Sequence, residues 1–138
     1  MLAYHLDFKR AMWRADYLDA TVAQLAAWGF DTLLVEVEDK FRFRRHPGIA
    51  HPDALPPKAM AAFADRCRAR GLDVVPLVQT LGHAEYVLGK PAYTALRQVP
   101  ESDSQYAAGS PAVHALLGDL IDEVADAFRP RAWLHIGG

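Results

Sequence analysis

Two acidic side chains stand inside an otherwise apolar run that is rich in leucine and valine. The run TLLVEVED covers residues 32–39 and contains Glu36 and Glu38 before it ends at Asp39. A carboxylate buried in a strand is costly unless it is paired or hydrogen-bonded. The pattern therefore predicts that these carboxylates face a polar, ligand-binding mouth. The structural alternative is that Glu38 and Asp39 begin a solvated loop, while Glu36 pairs with Lys9 or with an arginine.

A second group of polar side chains lies in an alternating segment near the start of the chain. Residues 3–9 (AYHLDFK) place His5, Asp7 and Lys9 on one face of a predicted strand. His5 and Asp7 form an H-x-D pair that metal-dependent barrel hydrolases can use with further histidines. No further ligands are evident, so we predict no metal site, and such a hydrolase is the lesser alternative. For Asp7 the structural alternative is an ion pair with Lys9 or a lysine of a neighbouring strand.

Two histidines follow or end strand-like runs. His83 comes after Gly82, just beyond the run DVVPLVQT at residues 73–80, where a loop would begin to line the mouth. His135 precedes Gly137 and Gly138, which leave room for a ligand or side chain to approach the backbone. Each histidine is a candidate site residue, with a purely structural histidine as the alternative.

The elements that must position these residues alternate along the chain. Strand-like runs cover residues 3–9, 32–39, 73–80 and 132–138. Helical periodicity covers residues 16–29, 57–71 and 111–128. This order predicts parallel βα units, either in an open doubly wound sheet or in half of a (β/α)8 barrel. Polar residues at the carboxyl ends of the strands favour the barrel. A nucleotide-binding sheet would need a glycine-rich turn after its first strand, and the sequence has none.

The third predicted helix and the third predicted strand each carry a further signal. The helix that Pro111 opens has an apolar stripe that consists of Val113, Leu116, Leu117, Leu120, Ile121, Val124 and Phe128. The acidic residues Asp119, Asp122, Glu123 and Asp126 are predicted to lie off this stripe. Pro76 interrupts the third strand, where a proline is easier to place in a strongly curved barrel than inside an open sheet.

Composition limits the function classes. The 138 residues are 51% hydrophobic, and their formal net charge of -2 is spread along the chain, so neither nucleic acid nor a membrane surface is an expected partner. The single cysteine, Cys67, lies in a predicted helix and serves neither a disulfide nor a nucleophilic site. No signal peptide is visible, so we expect a cytoplasmic protein.

Four segments together resemble the glycoside hydrolase family 20 barrel, and in particular its hexosaminidase D-like branch. The segments are HLDFK at 5–9, LLVEVEDKF at 33–41, VVPLVQTLGHAEYVL at 74–88 and LHIGG at 134–138. In the family, the fourth motif continues into an Asp-Glu pair, which is expected directly after Gly138. The sequence departs from the family pattern at Arg10 to Trp13 and at Ser110-Pro111, which puts sugar contacts from those two loops in question.

The resemblance implies an exo-β-N-acetylhexosaminidase that uses the substrate's own acetamido group as nucleophile, without a metal or organic cofactor. It implies that Asp7, Glu36, Asp39 and His83 shape the site for an N-acetylhexosamine-containing glycan. It also implies that His83 and His135 support the acid of the Asp-Glu pair.

The resemblance further implies that residues 1–138 are the first four βα units of a family 20 catalytic domain. We therefore expect a truncated N-terminal half of a (β/α)8 barrel, inactive by itself because no catalytic residue of the pair lies within it. The main alternative is a non-catalytic carbohydrate-binding or remnant half-barrel.

Overall fold

The fold, taken from a computed structural model that describes residues 1–137, is built from parallel βα units. Three strands form one sheet in the order β1-β2-β3: β1 (Ala3–Asp7), β2 (Thr32–Glu36) and β3 (Asp73–Leu77). Both strand pairs are parallel. The helices are α1 (Ala15–Ala27), α2 (Pro57–Ala69), the short α3 (Glu85–Leu88) and α4 (Pro111–Phe128). Short 3-10 turns lie at Glu38–Lys40, Pro47–Ile49 and Pro91–Leu96. This is the predicted βα alternation, arranged as part of a barrel.

Each strand turns one face toward the helices and the other away from them. Leu33 and Val35 of β2 and Val74 of β3 are fully buried among the helices. The next residues along the strands, Leu34 and Val75, belong to the opposite face and are only half-buried. We call this opposite face the inner face, because it corresponds to the interior of a barrel.

The helices follow the predicted apolar periodicity. α1 buries Leu18, Val22 and Leu25, and Gly29 follows it with a φ of +86°, which is the left-handed geometry expected where a helix stops. Five of the seven predicted stripe residues of α4 are fully buried, while Leu117 and Ile121 are half-buried at its margin.

The prediction that Glu123 lies off the buried stripe of α4 is wrong. Glu123 is buried, and its two carboxylate oxygens accept the backbone N–H groups of Arg44 and Arg45 at 2.7 and 2.8 Å. The loop between β2 and α2 thus supplies donors that periodicity within α4 cannot reveal. The contact fixes this long loop against α4.

The strands are shorter in the structure than the sequence predicts. β2 ends at Glu36, β3 ends at Leu77, and the predicted fourth strand at 132–138 is reduced to one parallel bridge between Leu77 and His135. Backbone bonds from His135 N to the Pro76 carbonyl and from Val78 N to the His135 carbonyl form that bridge, both at 2.9 Å. Among the described residues, the segment at 132–137 is paired on one side only, with β3. Gly138 lies outside the described residues.

Pro76 is accommodated in β3 because of the direction in which its backbone faces. In a parallel ladder, the N and the carbonyl of one residue face the same neighbour. The Pro76 carbonyl accepts from His135, so its missing N–H also faces this weakly paired side rather than β2. The proline therefore costs the sheet no bond between β2 and β3.

Among the helices of residues 1–137, none is both long enough and apolar enough to cross a bilayer.

Candidate active site

Glu36 is the centre of a polar group at the carboxyl end of the inner face. Only 5% of its surface is exposed. Its Oε2 lies 2.9 Å from His5 Nε2, and its Oε1 accepts from Gln79 Nε2 at 2.7 Å. Because a carboxylate only accepts, His5 carries a proton on Nε2. The expected structural alternative, pairing with Lys9 or an arginine, is wrong, since β1 and β3 supply the partners instead.

Glu38 is buried too, which contradicts the alternative that it begins a solvated loop. It is 4% exposed, and its Oε1 lies 3.1 Å from Lys9 Nζ. Burial raises the pKa of Glu38 to about 7, although the Lys9 ammonium acts in the opposite direction. Burial would lower the pKa of Lys9, but its contact with Glu38 prevails and holds that pKa above its ordinary value.

The backbone is strained at two points of the site. Glu38 has a φ of +40° and His83 a φ of +51°, and non-glycine residues rarely adopt such left-handed geometry. Strain of this kind costs on the order of 1–3 kcal/mol and tends to occur at functional sites. Glu38 lies two residues after the end of β2, and His83 lies in the loop that leads from β3 to α3.

Of the sequence-predicted residues, Asp39 and Asp7 are held by local contacts. Asp39 Oδ1 accepts from the buried Lys40 ammonium at 2.5 Å, and Lys40 also donates to the Lys9 carbonyl at 3.3 Å. Asp7 is exposed at the mouth, paired in register with Glu36, and its Oδ1 accepts the backbone N–H of Lys9 at 2.6 Å. The contact of Asp7 is therefore with the backbone of Lys9 and not with its ammonium.

Both predicted histidines are exposed, each on a different segment. His83 is exposed in the loop between β3 and α3. His135 is exposed beside β3, and its Nδ1 accepts the backbone N–H of Gly137 at 2.9 Å. An accepting Nδ1 carries no proton, so the neutral ring of His135 is protonated at Nε2.

Sequence reasoning missed two buried tyrosines behind the mouth. The Tyr86 hydroxyl donates to the Gln79 carbonyl at 3.5 Å, and burial, followed by the neighbouring Tyr106, raises the pKa of Tyr86. The Tyr106 hydroxyl and Gln79 Oε1 are buried without a hydrogen-bond partner among the described residues. The sequence held a weak signal for Tyr86, which lies in the LGHAEYVL segment. It held none for Tyr106, whose loop approaches only in the folded chain.

The other end of the inner face has a different character. A groove of about 310 Å³ lies there, lined mostly by apolar residues such as Leu34, Val75 and Trp133, with Thr32 and His135 also in its wall. Such a lining suits packing against further side chains rather than acid-base chemistry. The site is therefore confined to the carboxyl ends of the strands.

Other chemistries find less support in the described part of the chain. Residues 1–137 contain no group of three or more side chains placed to hold a metal ion. His5 bonds to Glu36 rather than facing a metal with Asp7. Cys67 is buried, and burial raises the pKa of its thiol to about 12, so it is not a reactive thiolate.

Comparison with known proteins gives related sequences but no matching family model. The chain is 30% identical to Hexosaminidase D of Bos taurus and 32% identical to Hexosaminidase D of Homo sapiens, over 99% of its length in each case. It spans 40% of the bovine protein and 28% of the human one.

Solved structures share the fold over nearly the whole chain. A Flavobacterium johnsoniae chitobiase superimposes with a TM-score of 0.85 at 22% identity, covering 99% of this chain and 23% of that one. A Streptomyces plicatus β-hexosaminidase gives a TM-score of 0.81 at 19% identity, covering 98% of this chain and 32% of that one. The glycoside hydrolase family 20 β-N-acetylhexosaminidase of Streptomyces coelicolor gives 0.81 at 18% identity, covering 97% and 32%. The chain thus has the fold of part of a family 20 barrel and is related to the hexosaminidase D-like glycoside hydrolases.

Proposed function

We propose that the protein containing this chain is an exo-β-N-acetylhexosaminidase that removes terminal β-linked N-acetylglucosamine or N-acetylgalactosamine. One observation carries the proposal. The chain, which is similar over 99% of its length to proteins named Hexosaminidase D, gathers His5, Asp7, Glu36 and Gln79 at the carboxyl ends of its barrel strands. In barrels of this kind, the carboxyl ends of the strands carry the active site.

The substrate class is supported by the solved neighbours. The Streptomyces plicatus enzyme was solved in complex with its product GlcNAc, and a Vibrio harveyi exo-β-N-acetylglucosaminidase in complex with N-acetylglucosamine. A neutral sugar also suits a chain whose formal net charge is only -2. The proposed partner is therefore an N-acetylhexosamine-containing glycan or glycoside.

In the proposed reaction, the 2-acetamido oxygen of the substrate attacks the anomeric carbon as the glycosidic bond breaks. A carboxylic acid protonates the leaving oxygen, and a neighbouring carboxylate orients the acetamido group while positive charge develops on it. Water then attacks the anomeric carbon and restores the acetamide, so the anomeric configuration is retained. The acid and its neighbour are the Asp-Glu pair expected after Gly138, and no step draws on a metal or cofactor.

The proposed roles within this chain follow its geometry. Asp7 and His83 are exposed at the mouth and would contact the sugar directly. Both side-chain oxygens of Glu36 and one of Asp39 are bonded to protein groups, so the proposed contribution of these residues is to fix the surrounding wall. His135 bonds to the backbone of Gly137 and would support the acid by holding the chain that leads to it.

The test is an assay of the protein expressed from the complete reading frame that contains these 138 residues. We expect turnover of 4-nitrophenyl glycosides of both N-acetyl sugars and none of the corresponding β-glucoside, which lacks the acetamido nucleophile. We expect no turnover by the 138-residue chain alone. Binding of N-acetylglucosamine without hydrolysis by the complete protein would contradict the proposal and favour a carbohydrate-binding half-barrel.

A further inference from the structure

Hydrogen-bonded side chains cross the inner face from β1 through β2 to Gln79, just beyond β3. His5 Nε2 donates to Glu36 Oε2, and Gln79 Nε2 donates to Glu36 Oε1. Since the carboxylate can only accept, the amide of Gln79 must turn its nitrogen toward Glu36. Its oxygen is thereby directed to the opposite side, away from β2. Glu36 thus determines which way the Gln79 amide faces.

Gly137 lies where the Gln79 oxygen is directed. A Cβ built at Gly137 would come within 3.1 Å of Gln79 Cα and would overlap Gln79 Oε1. The φ of Gly137 is +72°, a geometry that side chains with a Cβ rarely adopt. Both facts require glycine here. The Gln79 side chain is therefore packed directly against the backbone at Gly137.

Two further bonds hold the same stretch of backbone. The Thr80 hydroxyl donates to the Ile136 carbonyl at 2.7 Å, and the Gly137 N–H donates to His135 Nδ1 at 2.9 Å. The stretch otherwise has the single bridge between Leu77 and His135. Side chains, rather than a continuous strand ladder, thus decide the direction in which the chain leaves this bridge.

We propose that His5, Glu36 and Gln79 form a positioning relay that fixes the backbone at Gly137 and, through it, the catalytic acid that follows. The inference rests on the proposed function, because only that function places an acid after this segment. The relay has a positioning role and not a catalytic one. Its role is to keep the acid within proton-transfer distance of the leaving oxygen, where a displacement of about 1 Å can cost on the order of 100-fold in rate.

Four variants of the complete protein separate this role from a merely structural one. Gln79→Leu removes the relay, and Gln79→Glu places two carboxylates against each other. The double variant Glu36→Gln with Gln79→Glu exchanges the groups. The new amide can donate to position 79 and accept from His5, and the new carboxylate again packs an oxygen against the Gly137 backbone. Gln24→Leu, at an exposed glutamine of α1, is the matched control.

The measurement is kcat/KM on two N-acetylglucosaminides, with thermal melting of each variant as a check on folding. One carries 2,4-dinitrophenol, a leaving group that needs no proton, and the other carries an alkyl alcohol that needs one. We expect Gln79→Leu and Gln79→Glu to lose at least about tenfold more activity on the alkyl glycoside than on the activated one. We expect the double variant to regain most of that loss, and Gln24→Leu to match the wild type.

An equal loss on both substrates, or no loss, would overturn the relay as a positioning device for the acid. If Gln79→Leu fails to fold, the comparison of Gln79→Glu with the double variant decides the question by itself. A double variant no better than Gln79→Glu would also overturn the inference. A wild-type protein that hydrolyses neither glycoside would refute the proposed function itself, and the relay's role with it.

Discussion

The two faces of the sheet are built on different principles. On the face toward the helices, Leu33, Val35 and Val74 are wholly buried in a continuous apolar core. On the inner face, apolar residues such as Leu34 are only half-buried, and they stand beside the polar pair of His5 and Glu36. The first face stabilises the units, since apolar burial needs no exact partner. The second face places polar groups that are stable only with specific partners, and it is where the candidate site lies.

The largest expected effect tests whether the inner face is covered in the complete protein. We expect Leu33→Ala to lower the free energy of unfolding by about 3 kcal/mol, because it opens a cavity in the core. In a closed barrel, whose interior is packed with side chains, Leu34→Ala should cost a similar amount. Chemical denaturation of both variants, with the exposed Leu2→Ala as control, measures the difference. If Leu34→Ala leaves the free energy of unfolding nearly unchanged, the inner face stays exposed to solvent in the complete protein.

The next effect concerns catalysis at the mouth. We expect His83→Ala to lower kcat/KM on an N-acetylglucosaminide by about 100-fold with an unchanged melting temperature, since His83 is exposed and its removal leaves no cavity. His114→Ala, at an exposed histidine of α4, provides the control. Unchanged turnover would remove His83 from the site, and a lowered melting temperature would assign it to the stabilising part of the molecule.

A smaller effect should appear in the pH dependence of stability. The folded-state pKa of Glu38 is about 7, above its ordinary value of 4.5, so the folded protein binds a proton there that the unfolded chain has released. Between these two values, the contribution of Glu38 to stability falls as pH rises, by up to about 1.4 kcal/mol per pH unit.

Denaturation at several pH values between about 4.5 and 7 checks this sign. Glu38→Gln should remove the falling contribution, whereas Glu85→Gln, at an exposed carboxylate near the same lysine, should leave it in place. A Glu38→Gln variant whose stability changes with pH as the wild type's does would show that Glu38 is ionised throughout the range, held by Lys9.

The smallest effect is expected on the solvent side of the helices. Arg66 Nε lies 3.0 Å from Asp19 Oδ1, which links α2 to α1, but both side chains are partly exposed to water. Asp19→Asn should change the free energy of unfolding by less than about 0.5 kcal/mol, because water screens exposed pairs. A loss above about 1.5 kcal/mol in chemical denaturation would show that the helix layer depends on specific polar partners as the inner face does.

The candidate site was partly predictable, because apolar runs in the sequence mark where the strands end. Glu36, Asp7 and His83 stand at the ends of apolar runs, and the carboxyl ends of parallel strands meet at one edge. Their partners could not be predicted. The contacts of Glu36 join residues 31 and 43 positions apart, and only the strand register brings them together. The strained geometry of Glu38 and the enclosure of Tyr106 likewise have no local sequence signature.

The sequence by itself determined the order of strands and helices, because an apolar period of two or of three to four residues is a local property. It thereby determined that α1, α2 and α4 bury the faces they do. Tertiary structure alone decided that Glu123 is buried, that Lys9 pairs with Glu38 rather than Glu36, and that the last segment forms one bridge instead of a strand. These outcomes depend on donors and acceptors from distant segments. A buried polar group takes whichever partner the fold brings within hydrogen-bond distance, and periodicity does not encode that distance.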